Sequence, residues 1–267
     1  MLLRVTALTL LFAVCLSERV RYDGHKVYRL TPQKRSHIDW LMKLPDQGLE
    51  VGFWQDPRQE TLDVDIQISP RHEAIFLNAI KELNIPHRVM VADVQKLIEE
   101  NHIQNTLAKA QHRLKKDPTP LYDFTYYMEY DEMVQYMNDI VSECGDNCEM
   151  INIGQSYEGR DQYVLTVSNG DGEDRQDVWL DAGIHAREWI SHAVNLYMFT
   201  ELVRGTDADV AGLLEKYNFH FMPCINPDGY QYSHDSERLW RKTRKPNQNG
   251  IGNCLGTDAN RNFDYMW

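Results

Sequence analysis

The chain has 267 residues and a formal net charge of −12, from 28 Lys and Arg against 40 Asp and Glu. That balance, with no run of five or six basic residues, argues against a nucleic-acid partner, because phosphate backbones are held by clustered Lys and Arg. Hydrophobic residues at 42% and a mean hydropathy of −0.55 describe a globular chain rather than a disordered or membrane-embedded one, long enough for one large domain or two smaller ones.

Met1 to Ser17 reads as a secretory signal peptide: Arg4, then an apolar stretch from Val5 to Leu16 that is too short for a bilayer span of roughly 20 residues. The expectation is therefore a secreted, extracellular protein with no membrane partner once the signal is removed. Four cysteines remain: Cys144, Cys148, Cys224 and Cys254. Cys144 and Cys148 flank the turn sequence Gly145-Asp146-Asn147, so a small local disulfide loop is sterically feasible. Cys224, inside an apolar run, also reads as a buried unpaired thiol, in which case Cys254 has no partner in this chain.

Residues 25 to 92 carry a β-α-β-β-α-β order. Lys26 to Leu30 is a strand, and Thr31-Pro32 starts a helix with Ile38, Leu41 and Met42 on one face, ended by Pro45 and Gly48. Leu49 to Trp54 is a second strand, and Leu62, Val64, Ile66 and Ile68 alternate as in a half-buried third. Ser69-Pro70 starts another helix, and His87 to Val91 is a fourth strand. This is the split βαβ pattern of ferredoxin-like (α+β) domains. Asp93 to Gln111 is a longer helix that runs into Arg113-Leu114-Lys115-Lys116-Asp117-Pro118-Thr119-Pro120, which reads either as a trypsin-like cleavage segment or as a solvated linker.

From Leu121 the elements lengthen. Asp131 to Glu143 is a helix with Met133, Tyr136, Met137 and Ile140 on one face; Tyr163 to Val167, Val178 to Leu180 and Phe219 to Ile225 are strands, and Trp189 to Val203 is a long helix. Strands alternating with helices suggest an α/β layer with a parallel or mixed sheet. Leu180-Asp181-Ala182-Gly183-Ile184-His185-Ala186-Arg187-Glu188 puts His185 and Glu188 three apart between a strand and a helix, a spacing that lets imidazole and carboxylate point at one Zn²⁺. The end of a strand is also where open α/β sheets build their sites. Downstream, Asn226-Pro227-Asp228-Gly229-Tyr230 reads as a turn after a strand. Arg238, Arg241 and Arg244 read either as a carboxylate-binding group with nearby Asn side chains or as a solvated face.

The set His185-Ala186-Arg187-Glu188-Trp189-Ile190, Asn226-Pro227-Asp228-Gly229-Tyr230, Leu239-Trp240-Arg241-Lys242-Thr243-Arg244 and Asp258-Ala259-Asn260-Arg261-Asn262-Phe263-Asp264 resembles, in order and approximate spacing, the secreted zinc carboxypeptidases of the pancreatic A/B type. Ile153-Gly154 through Glu158-Gly159-Arg160 also resembles the start of that catalytic domain, and the ferredoxin-like segment resembles the family's inhibitory activation segment. The resemblance implies a signal at 1–17, an activation domain at 18–112, a cleavage segment at 113–120 and the first part of the catalytic α/β domain at 121–267. It implies Zn²⁺ as cofactor, peptide or protein C-termini as substrate, and an activating trypsin-like protease acting near Arg113 to Lys116. His185 and Glu188 match two zinc ligands; Asp258 matches the carboxylate that fixes the tautomer of the ligand His. Arg241 matches the residue that stabilises the oxyanion. Asn260 and Arg261 match the pair that grips the terminal carboxylate, and Arg187 and Arg238 match contacts along the peptide's approach.

The resemblance also implies a third ligand His, a closing Tyr, a general-base Glu and the residue that sets C-terminal preference, all at positions beyond Trp267. His192, His220 and His234 are the local histidines to weigh as a substitute ligand, each read instead as an exposed or packed His. The expectation is a zymogen whose sequence here is either a piece of an active enzyme or a shortened product without catalysis. In the alternative reading, the activation domain makes the chain a non-catalytic binding or inhibitory module.

Overall fold

The structure, a computed structural model, describes residues 19–115, 122–169, 175–247 and 254–264. The expected signal peptide and the cleavage segment from Lys116 onward lie outside the described residues. Among the described residues no helix is long and apolar enough to cross a membrane.

The amino-terminal half is built from β1 (Lys26–Leu30), α1 (Arg35–Met42), β2 (Val51–Gln55), β3 (Val64–Ile68), α2 (Glu73–Glu82) and β4 (His87–Val91), followed by α3 (Val94–Arg113). The strands form one antiparallel sheet in the order β2-β3-β1-β4, the ferredoxin-like arrangement expected. Its core joins Tyr28 and Leu30 of β1, Ile66 and Ile68 of β3, Leu41 of α1, and Phe76 and Ile80 of α2. Both helices begin three residues later than Pro32 and Pro70 suggest, with α3 instead capped by the Asp93 carboxylate accepting from the Lys96 N–H at 3.0 Å.

Alternation in β3 predicts one solvated face, and the structure differs: every residue of β3 is buried, Asp65 at 5% and Gln67 at 7% exposure included. These polar groups are enclosed because each is satisfied. Arg29 forks onto the Asp65 carboxylate with two bonds of 2.6 Å, while Gln67 accepts from the Trp54 indole at 3.0 Å.

The second half contains α4 (Tyr130–Cys144), β5 (Cys148–Gln155), β6 (Asp161–Val167), β7 (Gln176–Asp181), α5 (Trp189–Arg204), α6 (Ala208–Leu214), β8 (Tyr217–Met222) and α7 (Pro227–Asp235). Its sheet has the order β5-β6-β8-β7, antiparallel except for the parallel pair β7/β8, so the sheet is mixed as expected. The predicted face of α4, Met133, Tyr136, Met137 and Ile140, is buried and packs in one cluster with Leu165 and Phe221 from the sheet and Leu196 and Phe199 of α5. Cys144 and Cys148 form the local disulfide between α4 and β5, while Cys224 is buried and free and Cys254 is exposed and free. Strand β5 and helices α6 and α7 are elements that sequence reasoning did not assign. The Asn226-Pro227-Asp228-Gly229-Tyr230 motif is the start of α7 rather than an isolated turn: the Asn226 side chain accepts from the Gly229 N–H at 3.1 Å, with Pro227 at the first helical position.

Candidate metal centre

The parallel pair β7/β8 positions the site. Asp181 and Met222 are in register at the carboxyl ends of the two strands, and His185 and Asn226 each follow four residues on. Gly183 makes the exit from β7 possible: its φ is +71°, and a Cβ there would meet the His192 ring at 2.2 Å. Asn226 Nδ2 donates to the Ile184 carbonyl at 3.4 Å and to the Lys242 carbonyl at 3.0 Å, while the Ala186 N–H donates to the Arg241 carbonyl at 3.1 Å. These bonds stitch the His185 loop to the Arg241 loop.

Four side chains then close a ring. Nδ1 of His185 lies 2.9 Å from Oε1 of Glu188, and its Nε2 lies 3.2 Å from Oδ1 of Asp258. Arg241 Nε donates to Asp258 Oδ2 at 2.9 Å, and its NH1 lies 3.7 Å from Glu188 Oε1. Glu188 occupies the N-cap position of α5 yet makes no cap bond; its carboxylate is directed at His185 instead. Burial works against the charge on both carboxylates, and their partners outweigh it. The hydrogen bond and charge of Arg241 hold Asp258 below the usual carboxylate range, and His185 with Arg241 and Arg187 does the same for Glu188.

The donor set fits a divalent cation. A neutral imidazole carries one N–H. With Nε2–H donated to Asp258, Nδ1 turns a lone pair toward a carboxylate oxygen, and two electron-rich atoms that converge in this way accommodate a metal ion between them. Among the described residues no group of three or more His, Cys, Asp or Glu converges on one point. His192 does not extend the pair: it is buried, its ring stacks on Tyr230 at 4.0 Å, and burial pushes its pKa down to about 4. His234 stacks on Trp189 at 3.8 Å, and His220 sits 3.1 Å from Asp177.

The three downstream arginines are not a solvated face. Arg241 belongs to the ring just described, Arg244 lies over the Tyr232 ring at 3.5 Å, and Arg238 lies over Trp189 at 3.7 Å while donating to the Arg187 carbonyl at 2.9 Å. Burial pushes the Arg238 pKa down to about 10 and lowers that of Arg187. Asn260 and Arg261 form a 3-10 turn (Ala259–Arg261), with the Asn260 N–H bonded to Asp258 Oδ1 at 3.1 Å.

The segment after β2 covers this group; the resemblance implied an inhibitory activation segment, but not which residues make the contact. Arg187 donates to the Phe53 carbonyl at 2.8 Å, and Arg261 donates to Asp56 Oδ2 at 2.6 Å. Asp56, Arg58, Arg241, Asp258 and Arg261 line a shared cavity of about 470 Å³. Two further seams hold the halves together. The Val20 N–H donates to the Ser236 carbonyl at 2.8 Å and the Tyr22 hydroxyl to Glu237 at 2.9 Å. Along α3, Asn105 bonds both backbone groups of Tyr127, and Lys109 and Arg113 pair with Glu132 at 2.7 and 3.2 Å. No local motif marks Asp56 or Glu237, because each is defined only by a partner far along the chain.

The fold and the motif set are those of a zinc carboxypeptidase with its activation segment. The chain belongs to the zinc carboxypeptidase family, whose pattern matches residues 133–267, and the carboxypeptidase activation peptide matches residues 28–101. It is 34% identical to carboxypeptidase A1 of Bos taurus over 250 residues, 91% of this chain and 57% of that protein. It is 33% identical to zinc carboxypeptidase A 1 of Anopheles gambiae over 262 residues, 96% of this chain and 57% of that protein. Among solved structures, thrombin activatable fibrinolysis inhibitor matches with a TM-score of 0.73 at 27% identity, covering 91% of this chain and 60% of that one. Carboxypeptidase A from Helicoverpa armigera shares the fold, with a TM-score of 0.80 at 24% identity, covering 92% of this chain and 59% of that one. The chain thus spans less than two thirds of the length of these relatives.

Proposed function

We propose that this chain is part of the secreted zymogen of a zinc metallocarboxypeptidase, with a signal at 1–17, an activation domain at 18–112, a cleavage segment at 113–120 and catalytic-domain sequence from 121. His185 and Glu188 hold the metal. Bound zinc supplies a Lewis acid that polarises a carbonyl and lowers the pKa of water. Asp258 keeps the Nε2 proton on His185, so that Nδ1 stays free to ligate. Arg241, oriented by Asp258, offers a permanent positive charge to the oxyanion. Asn260 and Arg261 grip the terminal carboxylate of a peptide, which directs the chemistry to chain ends, and Arg187 and Arg238 contact the peptide on its approach.

The observation that carries this reading is the pair Asp56 and Arg261. A carboxylate of the activation segment sits on the arginine assigned to the substrate's terminal carboxylate, which makes a substrate compete with the cover. Removal of the cover follows a trypsin-like cut near Arg113 to Lys116. The test is release of a C-terminal residue from a peptide by the full-length protein before and after brief trypsin treatment, with zinc content measured alongside. Expected are zinc uptake in both states, hydrolysis after cleavage only, and no action on a C-terminally amidated peptide. Equal turnover of the amidated peptide, or a new amino terminus only inside the first sheet, overturns the assignment. The same cover supports a second reading, in which the activation domain blocks a carboxypeptidase in trans; unchanged activity of such an enzyme at micromolar levels of residues 18–112 counts against it.

A further inference from the structure

The seam between the two halves forms a half-open cleft of about 370 Å³ beside the candidate metal centre. Trp54, Leu97 and Ile98 of the amino-terminal half form one wall, and Arg187, Arg238 and Leu239 form the other. The Trp54 indole N–H is already bonded to Gln67, so the ring meets the cavity as apolar surface. Small-molecule sites start at about 300 Å³ and combine apolar walls with a few placed polar groups.

The charges on the second wall are unusual. Arg187 and Arg238 have no carboxylate within salt-bridge distance among the described residues; each instead donates to a backbone carbonyl, of Phe53 and of Arg187 respectively. Both are partly buried, Glu188 and Asp56 act on Arg187 only from beyond salt-bridge distance, and a guanidinium drawn from water with no close anion is costly. Each has N–H groups left over after that one hydrogen bond, and the Arg238 guanidinium otherwise lies over the Trp189 ring at 3.7 Å. The one acid on the wall, Glu188, is engaged by His185 at 2.9 Å.

We propose that this cavity binds a small apolar monocarboxylate of the fatty-acid type, its tail against Trp54, Leu97 and Ile98 and its carboxylate on Arg187 and Arg238. The ligand touches both halves and so favours the closed, covered form by mass action. The walls exist together only while the cover is in place: the site shares Arg187 and Arg238 with the cleft that a peptide enters after activation, but its Trp54, Leu97 and Ile98 wall leaves with the cover.

The experiment is titration calorimetry on the full chain with decanoate below its micelle concentration, and with decyltrimethylammonium as the probe of equal tail and opposite charge. Expected are one decanoate bound per chain and at least tenfold weaker binding of the cation. Arg238→Gln and Leu97→Glu each weaken decanoate at least tenfold. Leu97 is 42% exposed, so its replacement leaves the core intact; Leu97→Trp, which fills the volume without adding charge, gives the same loss. Equal binding of both probes, binding unaffected by either Leu97 change, or no binding at all overturns the proposal. Neither zinc nor turnover enters the readout, so its failure leaves the zymogen assignment standing, and failure of that assignment leaves this result intact.

Discussion

The two sheets of this protein are held together differently. The first, β2-β3-β1-β4, is a closed unit: its core residues come from one stretch of about 60 residues, and even the polar face of β3 is covered by Arg29 and Trp54. The second, β5-β6-β8-β7, draws its core from residues spread from Tyr122 to Tyr230, with α4 and α5 packed on the sheet. Around the site, loops tied to one another by Asn226, Asp258 and Arg241 sit on that hydrophobic cluster, which includes Trp189, Cys224 and Tyr230. A compact core tolerates loss of a surface contact; a stitched site loses its geometry when one stitch goes.

The largest expected effect tests the first half of that comparison. Phe76→Ala should destabilise the amino-terminal sheet by about 3–5 kcal/mol, since Phe76 is fully buried between β1 and α1. Urea unfolding followed by near-ultraviolet signals should then show two transitions, the earlier one belonging to the first sheet. A single shifted transition means that the halves fold as one unit.

Acid should act mainly on the second half. Burial, with Arg238, His192, Lys109 and Arg19 adding repulsion, pushes the His234 pKa down from 6.5 to about 3. The unfolded chain takes up a proton as pH falls through 6.5, whereas the folded chain resists until about 3. The stability from neutral His234 is therefore complete above pH 6.5 and is lost progressively down to about pH 3, on the order of a few kcal/mol. His234→Phe, which keeps the stack on Trp189, should flatten the dependence of the urea midpoint between pH 7 and 4.5; an unchanged slope assigns the acid sensitivity elsewhere.

The stitches themselves are tested by Asp258→Asn. Loss of the carboxylate behind His185 should weaken zinc binding by about 10- to 100-fold in equilibrium dialysis with little change in melting temperature. A large fall in melting temperature instead makes Asp258 a structural residue. The smallest effect belongs to the contact between the halves: Asp56 and Arg261 are partly exposed, so Asp56→Ala should loosen the cover by about 1 kcal/mol or less. Backbone hydrogen exchange in β2 and the turn after it should rise by no more than about fivefold.

Much of this architecture was legible in the chain. Helical spacing of Met133, Tyr136, Met137 and Ile140 gave the buried face of α4, and apolar alternation located β3, because both signals report which side of an element faces a core. The burial of Asp65 was not legible, since it depends on Arg29 from another strand. Likewise the Asn226 motif read as a turn, because a capping side chain, a proline and a glycine serve turns and helix starts alike.

The sequence by itself determined the two-part organisation through local pattern, and the family and the residue types at the candidate metal centre through the resemblance of four ordered motifs. Only the tertiary structure brought Asp258 to His185 across 73 residues and Asp56 to Arg261 across 205. A charge finds its partner through the fold of everything between them, and no local spacing carries that distance.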